Sequence, residues 1–378
     1  MKNIFMLVGE RSADVHAAEV IAQLLKKDPS IKLWGIGGPR MQKLGFEPLF
    51  PFIKFSIIGF AEVIRHLGFI MKVFKKLKVE FSSRKPDLAI LVDYPGMNIR
   101  IANILHSMNI PVLYYISPQV WAWKMKRIHK IAEYSDKIAV IFPFEKEMYN
   151  EIGADVDYVG HPISEEIDIQ HTKEEFTHRY ALDPQKEWIG FIPGSRNIEI
   201  KRILPEIVET IKLLKKKNKK TQEYLISKAD SVSDDIFNEI LHPIKNDIKI
   251  VDDTHGLMKY SKVVVCKSGT STLETGFLGT PLVVIYKTSW LSYLIARAFI
   301  KINMIALANI VLGKKVVPEL IQHNACPKKI AYEVTRYLND EEYYLETKKE
   351  LNTIQKELGS LHTSEKVASI VLEMIHEA

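Results

Sequence analysis

Hydrophobic and polar positions follow a repeating order along the first half of the chain. Apolar runs rich in Val, Ile and aromatic residues read NIFMLVG, IKLWGIGG, DLAILVDYP, PVLYYIS, KIAVIFPFE and VDYVGHP. Most of these runs are separated by stretches whose apolar residues have helical spacing. Continuous hydrophobic strands joined by helical crossovers are typical of a parallel sheet that is covered on both faces.

The same order restarts after a polar stretch that follows His161. The new apolar runs read EWIGFIPGSR, EYLISKA, IKIVDD, KVVVCKSGT and PLVVIYK. The pattern therefore predicts two Rossmann-like α/β domains in tandem, an N-terminal one over residues 1–165 and a C-terminal one over residues 166–345. Helical spacing dominates from about Cys326 onward, and residues 346–378 are predicted to be C-terminal helices able to pack back on the N-terminal domain.

Residues 52–81 form a stretch that is more apolar than one buried helix requires, although it also carries several lysines. A core-facing helix with a solvated lysine face explains its main stripe. Surplus apolar side chains beside cations are instead typical of a helix lying in a membrane interface. Both readings stay open, and a second very apolar stretch at 290–305 favours the membrane. The candidate lipid-facing residues are Phe55, Ile57, Ile58, Phe69 and Ile70.

Composition excludes several classes of protein. The chain has 378 residues, of which 47% are hydrophobic and 26% are charged, as in globular proteins. A formal net charge of +6 only hints at an anionic ligand or surface. Two unrelated cysteines argue against a disulfide framework or zinc site, and no uncharged run reaches the roughly 18–20 residues of a transmembrane helix. The first apolar run is too short for a signal peptide, so a cytoplasmic location is expected.

The turn after the strand in EWIGFIPGSR carries candidate phosphate-binding groups. Gly194, Ser195 and Arg196 lie between a predicted strand and a helix that begins near Asn197. Glycine lets the backbone approach a phosphate, the helix N-terminus offers unpaired N–H groups, and arginine adds a bidentate cation. Turns of this composition are common, so the motif indicates phosphate binding only together with a second turn of the same kind.

That partner is the turn in KSGTSTLETGFLGTP. Ser268, Thr270 and Ser271 again lie between a strand and a helix and form a second anion-binding nest. Glu274 follows about one turn later, where it either accepts hydrogen bonds from two ribose hydroxyls or only interacts with the helix dipole. Two nests and a carboxylate suit a nucleoside diphosphate, and they match neither the Walker motif nor a G-x-G-x-x-G loop.

Acidic side chains end two apolar runs of the first half. Asp93 follows the run in ILVDYPGMN, and Glu10 follows the first run in GERSADVHAAE. The carboxyl ends of parallel strands are where ligand crevices form, so these two carboxylates are a candidate general base and a partner that tunes it. Turn or cap roles are the alternative, and either Ser12 or Asp14 is expected to cap a helix that begins near Val15.

His161, in VGHP at the predicted domain boundary, is either a ligand to sugar or phosphate or a structural histidine. Trp121 and Trp123, in SPQVWAW, are either core residues or contacts to lipid or sugar. His, Cys and carboxylate residues do not cluster at metal-ligand spacing, so catalysis without a metal is expected.

The motifs GERSADVH, VDYPGMN, SPQVWAW, PFE, YVGHP, PGSR, SGTSTLE and ALANIVLGKKVVPELIQ together resemble lipid-A-disaccharide synthase over residues 9 to about 330. The resemblance implies a GT-B glycosyltransferase, with two Rossmann-like domains facing each other across an interdomain crevice. The implied reaction joins UDP-2,3-diacylglucosamine to 2,3-diacylglucosamine 1-phosphate (lipid X). Its products are a β-1,6-linked disaccharide 1-phosphate and UDP, and it is inverting and needs neither metal nor cofactor.

The resemblance also implies residue roles. Asp93 becomes the base that deprotonates the primary hydroxyl of the acceptor, and Glu10 supports the acceptor side. Further implied acceptor or interdomain residues are Ser12, Asp14 and His161. The implied UDP-sugar site consists of Gly194, Ser195, Arg196, Ser268, Thr270, Ser271, Glu274 and Asn309.

By the same resemblance, residues 52–81 dock on the inner face of the cytoplasmic membrane and contact acyl chains. A homodimer with exchanged C-terminal domains is also implied, and no nucleic-acid partner is expected. One departure concerns the first loop, where Ala13 and Ala17 replace glycines that are usual in the family. If position 13 needs a positive φ, alanine costs about 1 kcal/mol, and acceptor affinity is expected to suffer.

Two alternatives remain. Another UDP-sugar transferase or a UDP-GlcNAc epimerase fits the same architecture, although neither needs the basic, apolar stretch 52–81. A non-catalytic module that binds UDP-sugar or membrane would retain UDP binding without turnover.

Overall fold

The computed structural model describes residues 2–52, 55, 67–118, 126–167, 169–217, 221–290, 293, 303–359 and 362–377. Internal contacts divide the chain into two compact units. The first consists of Met1–Glu165 together with Leu361–Ala378, and the second is Glu166–Ser360. The predicted tail segment, residues 346–378, is therefore divided, because its first part stays with the second unit.

The first unit is built on a parallel sheet. Its strands are β1 Asn3–Val8, β2 Lys32–Ile36, β3 Glu47–Pro48, β4 Leu88–Val92, β5 Val112–Tyr115, β6 Lys137–Val140 and β7 Val156–Tyr158. They form one seven-stranded sheet in the order β3-β2-β1-β4-β5-β6-β7. Every strand predicted from an apolar run of the first half is present. The two-residue edge strand β3 was missed because it contains no apolar run.

Helices connect these strands. They are α1 Arg11–Lys27, α2 Pro39–Gln42, α3 Leu67–Arg84, α4 Pro95–Ser107, α5 Lys126–Tyr134, α6 Pro143–Asn150 and α7 Ile163–Glu166. One side of the sheet packs through an aromatic cluster in which Phe5 lies edge-on to Trp34 and Phe81, with ring centroids 5.1 and 4.8 Å apart. Because β1 is buried on both faces, it reads as a continuous apolar run rather than an alternating one.

The second unit repeats the architecture. Its strands are β8 Glu187–Ile192, β9 Gln222–Ser227, β10 Ile248–Val251, β11 Val263–Lys267, β12 Leu282–Tyr286 and β13 Glu319–Ile321. They pair in parallel in the order β10-β9-β8-β11-β12-β13. The predicted strands β8 to β12 are confirmed, and the short β13 was missed.

The α-helices of this unit begin with α8 Lys173–Arg179, α9 Asn197–Lys217, α10 Asp234–Leu241, α11 Thr254–Tyr260, α12 Thr270–Phe277 and α13 Leu307–Val311. They continue with α14 Pro327–Asn339 and α15 Glu341–Leu358. The stripe of Ile200, Leu204, Ile207 and Ile211 on α9 recurs at three- and four-residue spacing and is fully buried. It packs in the core of the unit, and α9 lies against α14.

A last helix, α16 Thr363–Glu377, packs against α1 in the first unit. Val367, Ala368 and Val371 are fully buried there. The ammonium of Lys2 donates to the carbonyl of Ile375 at 2.9 Å, and the hydroxyl of Ser369 accepts from Lys27 at 3.0 Å. The last helix of the chain thus packs on the N-terminal unit.

The described part of the apolar, lysine-rich stretch contains a core-facing helix. Val73, Leu77 and Phe81 of α3 are fully buried, whereas Met71 and Val79 are 63% and 61% exposed. No helix among the described residues is long and apolar enough to cross a bilayer. Ile57 and Ile58, predicted to face lipid, lie outside the described residues.

Phe55 needs a correction, because its side chain is only 2% exposed. Its ring lies 6.1 Å from that of Phe50 and 5.5 Å from that of Phe69, measured between centroids. Phe69 and Ile70 are half-buried, and Phe69 packs against the same core. Phe55 and Phe69 therefore form an aromatic cluster with Phe50 inside the unit.

We expect Phe55→Ala to lower the free energy of unfolding by about 3 kcal/mol, because it removes a buried ring and leaves a cavity. Urea denaturation followed by circular dichroism measures this loss. Met71→Ala removes an exposed apolar side chain from α3 and should change stability by less than about 0.5 kcal/mol. Equal stability of Phe55→Ala and wild type, together with weaker vesicle binding, would instead support the lipid-facing role.

Candidate active site

The structure brings Glu10 and Asp93 to the same edge of the first sheet. Strands β1 and β4 are parallel neighbours, with Val8 opposite Val92, and each carboxylate follows the end of its strand. Burial, and then the negative charge of Glu10, raise the pKa of Asp93 to about 6. His16, one turn into α1, has the opposite and smaller effect on the pKa of Asp93. Asp93 is half-buried and Glu10 is exposed, and a carboxylate whose pKa is raised toward neutrality suits a general base.

The backbone at Asp93 is unusual. Asp93 and Tyr94 are consecutive non-glycine residues with φ values of +47° and +45°, a conformation that costs about 1–2 kcal/mol per residue. Two donors hold the carbonyl of Asp93 in place, the hydroxyl of Tyr114 and the side-chain amide of Asn98, both at 2.8 Å. Backbone strain of this kind is concentrated at functional sites.

Tyr94 also explains the glycine of the first loop. A Cβ atom at Gly9 would collide with the ring of Tyr94, so the two loops touch at this point. Neither Tyr94 nor Asn98 was singled out from the sequence, because both act through neighbours that are distant along the chain.

Asp14 has a different role from those predicted. Helix α1 begins at Arg11 after Glu10, and no side chain caps it, so neither Ser12 nor Asp14 is its cap. Asp14 is buried and accepts hydrogen bonds from the backbone N–H groups of Arg40 at 3.1 Å and Met41 at 3.3 Å. Its carboxylate thus accepts hydrogen bonds from otherwise unpaired N–H groups in the first turn of α2, and these bonds occupy both of its oxygens. Ser12 is exposed on α1.

Ala13 and Ala17 lie inside α1, and both side chains are buried. Neither is among the residues with positive φ. The expected backbone penalty at position 13 therefore does not arise, because alanine is the most favourable residue in a helix interior.

His161 is a neutral residue at this end of the first unit. Burial, and then the positive charge of His16, lower the pKa of His161 to about 3. Its Nδ1 accepts a hydrogen bond from the backbone N–H of Ile163 at 3.1 Å, so the ring proton lies on Nε2. His161 can therefore donate one hydrogen bond to a ligand, but it supplies no charge for a phosphate.

The two predicted phosphate loops lie next to each other in the second unit. Strands β8 and β11 are parallel neighbours, with Ile192 opposite Cys266, so both loops leave the same edge of the sheet. Gly194 has φ +117°, and a Cβ atom there would press against the carboxylate of Glu199. The position therefore requires glycine for both its conformation and the close approach of that carboxylate.

Glu199 links the two loops. Its carboxylate accepts from the backbone N–H of Ser195 at 3.3 Å and from the ammonium of Lys267 at 2.9 Å. A longer contact of 3.7 Å joins it to Arg196, whose side chain is 75% exposed and has room to reach a ligand. Sequence reasoning missed Glu199 and Lys267. The strand-end position of Lys267, directly before Ser268, is the signal that could have found it.

The hydroxyl groups of the second loop already have acceptors. Ser268 donates to the carbonyl of Ile305 at 2.9 Å, and Ser271 donates to that of Lys267 at 3.2 Å. Thr270 is exposed at the first position of α12. The N–H of Thr272 donates to the carbonyl of Gly269 at 3.1 Å, so the groups available to an anion are mainly the backbone N–H groups of Thr270 and Ser271 at the start of α12.

Glu274 is the fifth residue of α12 and lies beyond its first turn, so interaction with the helix dipole does not account for it. Burial, and then the charge of Glu166, raise the pKa of Glu274 to about 7. The Nε2 atom of His255 lies 3.9 Å from a carboxylate oxygen of Glu274. Burial also lowers the pKa of His255. His255 was not predicted, because its proximity depends on the packing of α11 against α12.

No group of three or more His, Cys, Asp or Glu residues could hold a metal ion in the parts of the chain that the structure describes.

Comparison with known proteins identifies the family. The family model described as lipid-A-disaccharide synthetase matches residues 4–374. The chain belongs to the lipid-A-disaccharide synthetase family. It is 38% identical over 373 residues to the lipid-A-disaccharide synthase of Geobacter sulfurreducens, covering 98% of this chain and 97% of the relative. The chain is accordingly a glycosyltransferase enzyme.

Solved structures agree on the fold. A UDP-GlcNAc 2-epimerase from Neisseria meningitidis bound to UDP-GlcNAc has a TM-score of 0.63 at 14% identity, with full coverage of both chains. The glycotransferase of kitacinnamycin has a TM-score of 0.64 at 12% identity and covers 98% of each chain. At these identities the likeness concerns the fold alone, which is a GT-B fold of two parallel-sheet α/β domains.

Asn309, in the ALANIVLG motif by which the chain resembles the lipid-A-disaccharide synthetase family, is a buried structural residue. Its amide nitrogen donates to the carbonyl of Val317 and to the carboxylate of Glu319, each at 2.9 Å. Its oxygen accepts from the N–H groups of Val316 at 2.9 Å and Val317 at 3.0 Å. The side chain of Asn309 is 0% exposed and both its amide groups are hydrogen-bonded, so no side-chain atom is available to bind the UDP-sugar donor.

We expect Asn309→Leu to lower the free energy of unfolding by about 1–3 kcal/mol, because it leaves buried backbone groups unsatisfied. UDP affinity of the folded fraction should stay unchanged. Thermal unfolding and calorimetric titration measure the two effects, and Asn339→Ala, an exposed position at the end of α14, is the control. A loss of UDP affinity without a loss of stability would restore the ligand role.

Proposed function

We propose that the protein joins UDP-2,3-diacylglucosamine to 2,3-diacylglucosamine 1-phosphate, releasing UDP and forming a β-1,6-linked disaccharide 1-phosphate with inversion. Membership of the lipid-A-disaccharide synthetase family supports the reaction class. The observation that carries the mechanism is the position of Asp93 and Glu10 at one edge of the first sheet, where burial of Asp93 and the charge of Glu10 raise the pKa of Asp93 to about 6.

In this proposal Asp93 takes the proton from the primary hydroxyl of the acceptor. The hydroxyl oxygen attacks the anomeric carbon of the donor opposite the UDP group, and the carbon–oxygen bond to UDP breaks. At neutral pH an aspartate with a pKa near 6 is ionised and is a stronger base than an ordinary aspartate. Glu10 contributes by keeping that pKa high.

The second unit would hold the donor. Arg196 and the first-turn N–H groups of α12 would neutralise the charge that develops on the leaving UDP. Lys267 adds a cation at the same loops, fixed by Glu199. Glu274 would accept hydrogen bonds from the ribose hydroxyls, and the UDP-GlcNAc present in the Neisseria structure supports a UDP-sugar on this fold.

Contact with the inner face of the cytoplasmic membrane is part of the proposal. Two apolar residues of α3, Met71 and Val79, are exposed, and the exposed lysines of the helix lie between them in sequence. Such a face suits the boundary between headgroups and acyl chains of an anionic leaflet. Homodimer formation with exchanged C-terminal domains rests on the resemblance to the family.

We expect Asp93→Asn to lower kcat by about 10²–10⁴-fold, because an amide cannot accept the proton of the acceptor. UDP binding should persist, since the donor loops belong to the other unit. Mass spectrometry of reactions containing UDP-2,3-diacylglucosamine, lipid X and EDTA measures the product, and calorimetry measures UDP binding.

The matched control is Asp155→Asn, which changes an exposed carboxylate of the same unit. Near-normal turnover of Asp93→Asn would remove Asp93 as the base. Absence of product with the wild-type enzyme, while UDP still binds, would overturn the proposed substrates.

The pH dependence of kcat/KM should show an acid limb near pH 6. Activity needs ionised Asp93, so it is present above the pKa of Asp93 and is lost as the pH falls through about 6. Glu10→Gln removes a negative charge that raises this pKa, and the limb should therefore move to lower pH. A limb that stays in place, or moves to higher pH, would show that Glu10 does not tune Asp93.

A further inference from the structure

A cavity of about 300 Å³ lies at the other edge of the second sheet, away from the phosphate loops. Its lining includes Trp188 near the start of β8, Lys262 directly before β11 and Thr280 shortly before β12. The amino ends of parallel strands meet at one edge, and the loops carrying Arg196 and Thr270 leave the opposite edge. The volume is at the lower end of the range for small-molecule sites.

Lysines and aromatic rings dominate this cavity, which we call the lysine pocket. Its lysines are Lys173, Lys186, Lys259, Lys262 and Lys348, and its aromatic residues are Trp188, Tyr260 and Tyr344. Convergence of several ammonium groups on one concave surface raises the local concentration of anions.

Three of the lysines are not neutralised by a carboxylate. Lys173, Lys259 and Lys348 have no ion pair within 4.0 Å in the described parts of the chain. Their ammonium groups instead lie over aromatic rings, at 4.8 Å from the centroid of Trp188 for Lys173 and at 5.5 Å from that of Tyr260 for Lys259. A cation over a ring keeps N–H donors free for a ligand.

The other two lysines are partly compensated. Lys262 lies 3.8 Å from the ring centroid of Tyr344 and 3.4 Å from a carboxylate oxygen of Glu341. Lys186 lies 3.6 Å from both Asp183 and Glu223. Glu187 is the acidic residue in the lining of the pocket. The unpaired positive charge is therefore provided by Lys173, Lys259 and Lys348.

We propose that the lysine pocket binds a phosphorylated anion, with the phosphate on the ammonium groups and the rest of the ligand against the rings. Lysine is a common point-charge partner of phosphate, and aromatic walls accept an apolar or planar portion. The phosphate belongs either to the headgroup of an anionic lipid or to a small phosphorylated molecule. This site is separate from the donor site, and it stands whether or not the proposed reaction is correct.

The test uses the full-length protein with UDP at saturation, so that the donor loops are occupied. One arm titrates inorganic pyrophosphate by calorimetry, and the other measures co-sedimentation with vesicles of phosphatidylcholine and phosphatidylglycerol. The variant combines Lys173→Gln, Lys259→Gln and Lys348→Gln. Its control combines Lys245→Gln, Lys328→Gln and Lys356→Gln, which remove the same charge from exposed positions outside the pocket.

We expect the pocket variant to bind at least one probe about tenfold or more weaker than the control variant does. Loss of pyrophosphate binding identifies a soluble phosphate ligand, and loss of vesicle binding alone identifies a lipid headgroup. Failure of the wild type to bind either probe, or equal weakening in both triple variants, would overturn the proposal.

A variant that is expected to tighten binding distinguishes a loss of charge in the pocket from a folding defect. Glu187→Gln removes the acidic residue that lines the pocket and should tighten binding of the same probe, whereas Glu239→Gln, at an exposed position on α10, should not. Unchanged or weaker binding by Glu187→Gln would contradict the proposed role of charge in the pocket.

Discussion

Parallel pairing between β1 and β4, and between β8 and β11, determines where the chemically useful side chains lie. Val8 pairs with Val92 and Ile192 pairs with Cys266, at or next to the last residue of each strand, so the loops that follow begin side by side. Asp93 and Glu10 lie at the carboxyl edge of the first sheet. The loops that carry Arg196 and Thr270 lie at the carboxyl edge of the second sheet. The two loops of each pair are distant along the chain, and the pairing of their strands makes them neighbours.

Burial at these edges then sets the chemistry. Partial removal from water raises the pKa of Asp93 to about 6 and that of Glu274 to about 7, while it lowers the pKa of His161 to about 3. The same physical effect therefore produces a stronger base, an acid near neutrality and an uncharged histidine. The two left-handed residues at Asp93 add strain that the hydrogen bonds from Asn98 and Tyr114 offset.

Much of this arrangement was predictable from the sequence. Continuous apolar runs indicated every strand except the short β3 and β13, and polar residues directly after those runs indicated Asp93 and the phosphate loops. The residues that were missed act through partners far away in the chain. Glu199 belongs to the site because Lys267 lies on the neighbouring strand, and His255 because α11 packs on α12. No local pattern contains such contacts.

Asp14 and Asn309 show why a residue in a family-like motif need not touch a ligand. Both are buried polar residues that hold backbone groups of another segment by hydrogen bonds, and Asn309 also donates to the carboxylate of Glu319. Removing such a group leaves unsatisfied donors in the interior, so folding alone requires the residue as strictly as binding would. The apolar residue Phe55 is likewise needed for folding, since its ring packs against Phe50 and Phe69 inside the first unit. A residue in a motif can therefore be needed either for folding or for ligand binding, and its contacts in the folded structure show which of the two applies.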